Sequence, residues 1–190
     1  MIDMAMAKRK DVTKEQIIEI AAMMVRTRGC NGFSTRQLAD EVGISSASLH
    51  HHFTTKDDLI AAVAATCRDR VNRSQGVIAA EIEGFALHLS HSSQALGDDA
   101  LLIAMLAADF PTLPAKSQDE ARQLIANLRG WLSRFVAQAR TDGELPEDAV
   151  PDQVAGNVLA EILGSALLQR VALPGTLPVP PMTWGWQRVD

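Results

Sequence analysis

Hydroxyl and imidazole side chains are concentrated in one short run of the sequence, from Ser45 to His52. Serine hydroxyls and histidine N–H groups can donate hydrogen bonds to phosphate oxygens and to the acceptor atoms on base edges. Two further hydroxyls, those of Ser34 and Thr35, stand at the predicted start of a helix, where free backbone N–H groups favour an anion. Side chains of these types at these positions predict contacts to a polyanion such as nucleic acid.

Three adjacent histidines, His50 to His52, are the most conspicuous candidate metal ligands. Adjacent residues of a helix point in different directions, so these three rings do not converge on one ion. His88 and His91 lie three positions apart on one helix face, where a metal or a polar ligand is an alternative to solvated or hydrogen-bonded histidines. We therefore expect no metal and no cofactor.

The two cysteines of the sequence, Cys30 and Cys67, have neither CxxC nor zinc-ligand spacing. We expect both to be reduced thiols that serve as small apolar side chains. Redox sensing is the alternative, because the neighbouring Arg68 and Arg70 could lower the pKa of the Cys67 thiol.

Motifs for covalent chemistry are missing from the sequence. It has no Ser-His-Asp nucleophile elbow, no phosphate-cradling glycine loop, no HExxH and no dinucleotide fingerprint. We therefore expect a protein that is not an enzyme, and we keep an enzyme as the alternative from a different class.

The elements that must position the hydroxyls and imidazoles are predicted to be helices throughout. Apolar residues recur at intervals of three and four, and alternation of β-branched residues is absent, which predicts an all-α fold. Capping boxes at Thr13–Gln16 and Ser34–Gln37 begin the first two helices, and Gly29 ends the first. Ser45 caps a very short third helix, and Thr55 begins a long fourth one.

Only the short turn from Gly43 to Ser45 separates the second and third helices, which is typical of a helix-turn-helix. A chain that reverses within about three residues needs a positive φ, which glycine adopts at little cost. In such a unit the third helix enters the major groove of DNA. The apolar side chains expected to lock the helices at a fixed angle are Leu38, Ala39, Ile44, Leu49, Phe53 and Leu59.

Four further helices are predicted at approximately 75–95, 98–110, 117–142 and 151–173. Ser117 to Glu120 reads as a capping box, Gly143 as the stop of that helix, and Pro151 as the first residue of the last helix. The proline-rich residues 174–190 are expected to form an irregular tail, in which Trp184 and Trp186 either cover a neighbouring surface or belong to a disordered end.

The net charge of −5 argues against nucleic acid until its distribution is considered. Residues 1–74 hold 11 Lys and Arg against 9 Asp and Glu, whereas residues 75–190 hold 7 against 14. A basic front end on an acidic body is expected of a protein with one phosphate-facing lobe.

Nothing in the sequence predicts a membrane segment. No apolar run approaches the roughly 20 residues that cross a bilayer, and residues 1–10 lack the pattern of a secretory signal. We expect a cytoplasmic protein without a membrane partner.

Residues 17–59 resemble the TetR family of bacterial transcription regulators. Ile17 to Ala21, followed by Gly29, is similar to the first helix of the family. Leu38 to Ser45 is similar to its second helix and turn, and Ser48 to Leu59 to its recognition helix and the start of the fourth helix. The resemblance implies a helix-turn-helix DNA-binding domain at residues 1–58 and a helical effector-binding and dimerisation domain at residues 59–173.

The same resemblance implies a repressor that binds a palindromic operator in double-stranded DNA as a homodimer and is released by a small-molecule effector. A DNA-binding protein that has no effector and acts through a partner is the alternative. The residues expected to contact DNA are Ser34, Thr35, Arg36, Ser45, Ser46, Ala47, Ser48, His50, His51 and Lys56.

For the effector pocket, the sequence offers apolar and aromatic side chains with Asp109 as a polar anchor, and a plain core is the alternative. The expected pocket residues are Phe85, His88, Met105, Leu106, Asp109, Phe110, Trp131 and Phe135. The apolar stripe of 117–142 and the small residues of 151–173 favour a four-helix interface between two subunits. The expected interface residues are Leu128, Leu132, Gly156, Ala160, Gly164 and Leu167.

Overall fold

Seven α-helices and one 3₁₀ turn make up the part of the chain that the computed structural model describes, namely the backbone of residues 12–81 and 85–171 and the side chains of 12–75 and 96–171. Within those ranges there is no strand, so the all-α prediction is confirmed. The helices are α1 Lys14–Arg28, α2 Thr35–Val42, α3 Ser46–His52, α4 Lys56–Glu81, α5 Phe85–Asp109, α6 Ala115–Thr141 and α7 Pro151–Gln169, with the 3₁₀ turn at Phe110–Thr112.

The N-terminal helices begin where their own sequences place a cap. In the capping box of α1, the Gln16 N–H donates to Thr13 Oγ1 at 3.3 Å and the Thr13 N–H donates to Gln16 Oε1 at 2.9 Å. Ser34 and Gln37 make the same pair of bonds at the start of α2. The two N-terminal capping boxes predicted from the sequence are therefore confirmed, because each needs only residues within one turn of the helix.

The corner between α2 and α3 is built on Gly43, which lies in the left-handed region with φ 79° and ψ 30°. Its N–H donates to the Ala39 carbonyl at 3.0 Å, and so does the N–H of Ile44. Ser45 then caps α3 through the Ser48 N–H at 3.1 Å. The glycine thus ends one helix and aims the next within three residues.

Apolar side chains of α1 to α4 close a core beneath the corner. Leu38 and Leu59 are fully buried, and Leu49 and Phe53 are nearly so. Ile44 packs against this core while partly exposed. The buried residues that α1 contributes are Ile17, Ile18, Ala21, Ala22, Met24 and Val25.

The fourth helix is longer than the sequence pattern indicates. We expected a new helix at about residue 75, but α4 continues to Glu81. Ser74 lies inside α4, where its Oγ donates back to the Val71 carbonyl at 2.9 Å. The expected helices 75–95 and 98–110 are therefore wrong at their first boundary but right at the second: α5 covers Phe85–Asp109 and is interrupted at Gly97, whose φ of 41° and ψ of −123° are not helical.

The start of α6 also differs from the prediction. The helix begins at Ala115 after Pro114, so the expected capping box at Ser117 is wrong. Ser117 is fully buried; its N–H donates to Asp57 Oδ1 at 3.0 Å and its hydroxyl donates to the same carboxylate. A side chain of α4 thus caps α6.

Together α4, α5, α6 and α7 form the C-terminal body. The helix α4 packs on α1, α5 and α6, while α7 packs on α5 and α6. The helix α7 ends at Gln169, four residues before the predicted 173, and the predicted tail 174–190 lies outside the described residues. No described helix combines the length and the apolar character that a membrane crossing requires.

Candidate nucleic-acid interface

The helix α3 buries one face and exposes the other. Leu49 is 3% exposed and Phe53 6% exposed, and both join the core under the corner. The opposite face carries the hydroxyl, methyl and imidazole groups that the sequence predicts for contacts to DNA. Its exposed residues are Ser45, Ser46, Ala47, Ser48, His50 and His51. A short, polar helix face that is fixed by a core behind it has the shape needed to approach base edges in a groove.

A second exposed polar site lies at the start of α2. Ser34, Thr35 and Arg36 are all exposed. The Ser34 hydroxyl accepts from the Gln37 N–H, so one of the free donors of this turn is satisfied. The N–H groups of Thr35 and Arg36 belong to the first turn, have no partner inside the helix and point outward along its axis. They can donate to a phosphate oxygen.

Lys56 is placed differently from the other predicted DNA-binding residues. Its ammonium group donates to the Phe33 carbonyl and lies 4.6 Å from the centre of the Phe33 ring. Burial lowers the Lys56 pKa from its ordinary value, while the neighbouring Cys30 and Asp109 favour the charged form. In this conformation the amine is turned toward the loop between α1 and α2, and its predicted phosphate contact stays a prediction.

The histidines of α3 do not gather around one point. His50 and His51 are exposed, and the His51 and His52 rings meet edge to face with centroids 5.9 Å apart. Among the described residues, no three His, Cys, Asp or Glu side chains are placed to hold a metal ion. The side chains of His88 and His91 lie outside the described part.

Both cysteines are buried in the protein interior. Burial raises the pKa of the Cys30 thiol to about 12, with the neighbouring Asp109 carboxylate as a second cause. Burial also raises the pKa of Cys67, and Asp99 adds to the effect against the opposing charge of Arg70. Since the thiolate is the reactive form, these surroundings favour the structural interpretation of both thiols over redox sensing.

Two of the predicted effector-pocket residues line a groove of the described part. Leu106 and Phe110 line an open, mostly apolar groove of about 960 Å³ between the end of α5, α6 and α7. Met105 and Asp109 do not line it, and the Asp109 carboxylate instead accepts from the Cys30 N–H at 2.6 Å. Phe85 and His88 belong to the residues whose side chains are not described.

Trp131 and Phe135, the remaining two pocket residues, lie together on α6 away from this groove. Their rings are stacked, with centroids 6.1 Å apart and planes inclined by 9°. Both side chains are half-buried and pack against the core.

The predicted interface residues divide into two groups. Leu128 is 1% exposed and Leu132 is fully buried, so both belong to the core of one subunit and the prediction that they face a partner is wrong. The neighbouring positions of α6 that line the groove are Ala126, Arg129 and Gly130, which sequence reasoning missed. Their position in the sequence could have indicated them, because they lie next to Leu128, which we predicted to face the partner.

On α7 the predicted small residues are accessible. Gly156 and Ala160 line the groove, Gly164 is half-exposed, and Leu167 is 36% exposed. A Cβ atom added at Gly156 or Gly164 would meet no other atom within 4 Å. The described chain therefore brings no helix against these glycines.

Comparison with known proteins places the N-terminal helices in a family. Residues 17–63, about a quarter of the chain, match the family described as "Bacterial regulatory proteins, tetR family". The HTH-type transcriptional repressor KstR2 of Rhodococcus jostii is 25% identical over 126 residues. That alignment covers 63% of this chain and 55% of the repressor, so the chain spans about half the length of this relative.

Solved structures extend the likeness to most of the chain. A TetR-family transcriptional regulator from Agrobacterium tumefaciens superposes with a TM-score of 0.76 at 25% identity, covering 83% of this chain and 86% of that one. A TetR transcriptional regulator from Legionella pneumophila gives a TM-score of 0.74 at 26% identity, with 86% and 89% covered. The similarity therefore includes the C-terminal body as well as the matched N-terminal helices.

Proposed function

Because this chain belongs to the TetR family of bacterial regulatory proteins, we propose that it is a transcriptional repressor. In this proposal it binds a palindromic operator as a homodimer and leaves the operator when a small-molecule effector binds. The observation that carries the proposal is the geometry of α3, in which Leu49 and Phe53 anchor the helix while Ser46, His50 and His51 face outward. A helix held in this way can present side chains to base edges at a fixed angle.

Phosphate contacts would set the register of α3 in the groove. The exposed first turn of α2, with Ser34, Thr35 and Arg36, supplies backbone N–H groups, a hydroxyl and a guanidinium for this purpose. The basic N-terminal part of the chain favours approach to DNA, and the acidic remainder keeps the body away from phosphates.

A homodimer explains the open groove between α6 and α7. Its walls carry Ala126 and Gly130 from α6 and Gly156 and Ala160 from α7, so a helix backbone can approach closely. Glycine inside a helix is less favourable than alanine by about 1 kcal/mol, and close packing against another helix can offset that loss. Since the described chain leaves these glycines uncovered, we assign a second copy of the chain to the groove.

The rim of the groove is polar, as expected at the edge of a protein–protein interface. Arg129 and Asp152 lie 3.5 Å apart at its edge and are more than half exposed, which gives an apolar floor with a polar border. Pairing of two subunits also serves DNA binding, because two recognition helices about 34 to 36 Å apart read successive major grooves on one side of the duplex.

For the effector, we assign contact to the stacked pair of Trp131 and Phe135. The two rings stack on each other and are half-buried against the core, and the Asp109 carboxylate accepts from the Cys30 N–H. An effector of this site would be a small molecule with an apolar body. Melting the protein with a panel of metabolites tests this step: an effector raises the melting temperature of the wild type and raises it less in Trp131→Ala. A repressor without an effector shows no shift with any member of the panel.

Selection of bound fragments from random duplex DNA tests the function as a whole. We expect enrichment of sequences with twofold symmetry and half-sites about one helical turn apart. The affinity for the selected fragment should fall steeply with salt, since phosphate contacts release counterions. Failure to enrich any sequence at modest ionic strength would contradict the proposal.

A further inference from the structure

The loop between α1 and α2 is held by side chains from the C-terminal body. The Cys30 N–H donates to Asp109 Oδ2 at 2.6 Å, and Asn31 Nδ2 donates to Thr112 Oγ1 at 2.7 Å. Thr112 in turn donates from Oγ1 to the Asp109 carbonyl at 2.7 Å, so the two acceptors on the body are linked to each other. The loop leads directly into Ser34, the cap of α2 and the proposed phosphate site.

Glycine at position 29 allows the carboxylate to come this close. Its φ is +80°, a conformation that favours glycine, and a Cβ atom there would lie 2.9 Å from Asp109 Oδ2. A side chain at this position would push Asp109 away from the Cys30 N–H. The backbone of the loop is thus shaped to receive the end of α5.

A third contact joins the last turn of α1 to the end of α7. The Arg170 guanidinium donates through Nη2 to the Thr27 carbonyl at 2.9 Å, and its other terminal nitrogen lies against Met105 Sδ. The helix α7 also carries Gly156 and Ala160 of the proposed pairing groove. One helix therefore connects the pairing face to the DNA-binding helices.

These three contacts, from Asp109, Thr112 and Arg170 to residues 27–31, are called the interdomain clamp below. In a dimer, the distance between the two recognition helices depends on how the subunits pair and on how each N-terminal domain is oriented on its body. The clamp acts on the orientation of the N-terminal domain, because it fixes the α1–α2 loop to the end of α5, which packs on α7, the helix of the pairing groove.

We propose that Asp109 and Arg170 are positioning residues that set which spacing between operator half-sites the dimer accepts. This inference rests on the proposed function and adds to it a determinant of operator specificity that does not touch DNA. A change of one base pair in the spacer moves a half-site by about 3.4 Å along the duplex and rotates it by about 34°. A rigid clamp rejects such changes, and a loosened one tolerates them.

The test measures affinity for a series of duplexes that carry the wild-type selected operator with spacers from two base pairs shorter to two base pairs longer. We expect the wild type to bind its best spacer at least about tenfold more tightly than the extremes of the series. Asp109→Ala and Arg170→Ala should reduce this ratio to about threefold or less, mainly by improving relative binding to the wrong spacers.

Matched controls separate positioning from general damage. Glu147→Ala removes an exposed carboxylate of the body, in the segment between α6 and α7. Arg134→Ala removes an exposed arginine of α6. Both controls should keep the wild-type spacer profile. Asn31→Ala removes the bond to Thr112 at an exposed position, so we expect this second clamp variant to fold even if Asp109→Ala does not, and to lower the spacer ratio in the same way.

The outcomes are distinguishable. The positioning role of Asp109 and Arg170 is contradicted if their variants lose affinity equally for all spacers or keep the wild-type ratio. A merely structural role would lower the melting temperature without changing the spacer profile. A wild type with no preferred spacer also contradicts the positioning role. A wild type that binds no duplex at all contradicts the proposed function itself.

Discussion

The N-terminal helices and the C-terminal body differ in where their stabilising contacts come from. In the N-terminal helices, the caps are local: the side chains of Thr13, Ser34 and Ser45 each accept a hydrogen bond from the backbone N–H three residues later. In the body, α6 is capped by Asp57 of another helix, and α7 has glycines that no described helix covers. The helices of the first region are capped locally and its α1–α2 loop is held by the body, whereas the second region depends on contacts over long distances and, in our proposal, on a second subunit.

This difference fits two different tasks. A reader of DNA needs one rigid arrangement, which short-range caps and a closed core supply. In our proposal the body pairs with a second subunit and binds an effector, and both of these tasks need surfaces left open for other molecules.

Ala160→Arg is expected to have the largest effect, because it places a charge in the proposed pairing groove. Loss of the dimer makes DNA binding monovalent, so operator affinity should fall by about 10²- to 10⁴-fold. Sedimentation should show a monomer, and thermal unfolding should show that this monomer is folded and melts in one transition. Asn157→Arg adds the same charge at an exposed position of α7 outside the groove and should pair normally. An Ala160→Arg protein that remains dimeric would contradict the assignment.

Leu128→Ala tests whether Leu128 belongs to the core of its own subunit. Because Leu128 is buried in its own subunit, the free energy of unfolding should fall by about 2 to 5 kcal/mol. Leu167→Ala, at a side chain that is 36% exposed, should lower it far less. Denaturant unfolding of both variants measures the contrast. If both variants lost the same small amount of unfolding free energy, Leu128 would not be a core residue of its own subunit.

Asp57→Ala tests the capping of α6 from α4. Loss of the bonds to the Ser117 N–H and hydroxyl should lower the free energy of unfolding by about 1 to 2 kcal/mol, as loss of a helix cap does. Asp119→Ala is the matched control, since Asp119 lies in the same turn of α6 but pairs with the exposed Arg122. Equal stability of the Asp57→Ala and Asp119→Ala proteins would show that α6 needs no cap from α4.

Thiol reactivity gives the smallest expected effect. Since burial raises the pKa of Cys30 to about 12 and also raises that of Cys67, neither thiol should be alkylated by iodoacetamide at pH 8 while the protein is folded. Mass spectrometry before and after unfolding in urea measures the difference. Rapid modification of Cys67 in the folded protein would restore the redox alternative.

Sequence reasoning succeeded where the determining residues are neighbours in the chain. The capping boxes at Thr13 and Ser34, the Gly43 corner and the apolar residues of the first three helices all follow from spacings of three and four residues. The same reasoning missed the cap of α6, because Asp57 and Ser117 are 60 positions apart. It also assigned Asp109 to a pocket, since nothing near Asp109 in the sequence identifies Cys30 as its partner.

The groove was predicted only in part for a related physical reason. A periodic apolar pattern shows that a helix has a buried face, but it does not separate the face buried by its own chain from one buried by a second chain. Leu128 and Ala126 are two positions apart, and only the tertiary structure shows that the first belongs to the core and the second to the groove.

The central claim is that the exposed face of α3 reads the operator, and comparing the DNA selected by the wild type with that selected by His51→Ala tests it most directly. The account predicts that base preference changes at one or two positions, repeated symmetrically in both half-sites, while the other positions are unchanged. Identical preferences and equal affinities for the two proteins, at matched salt, would contradict it.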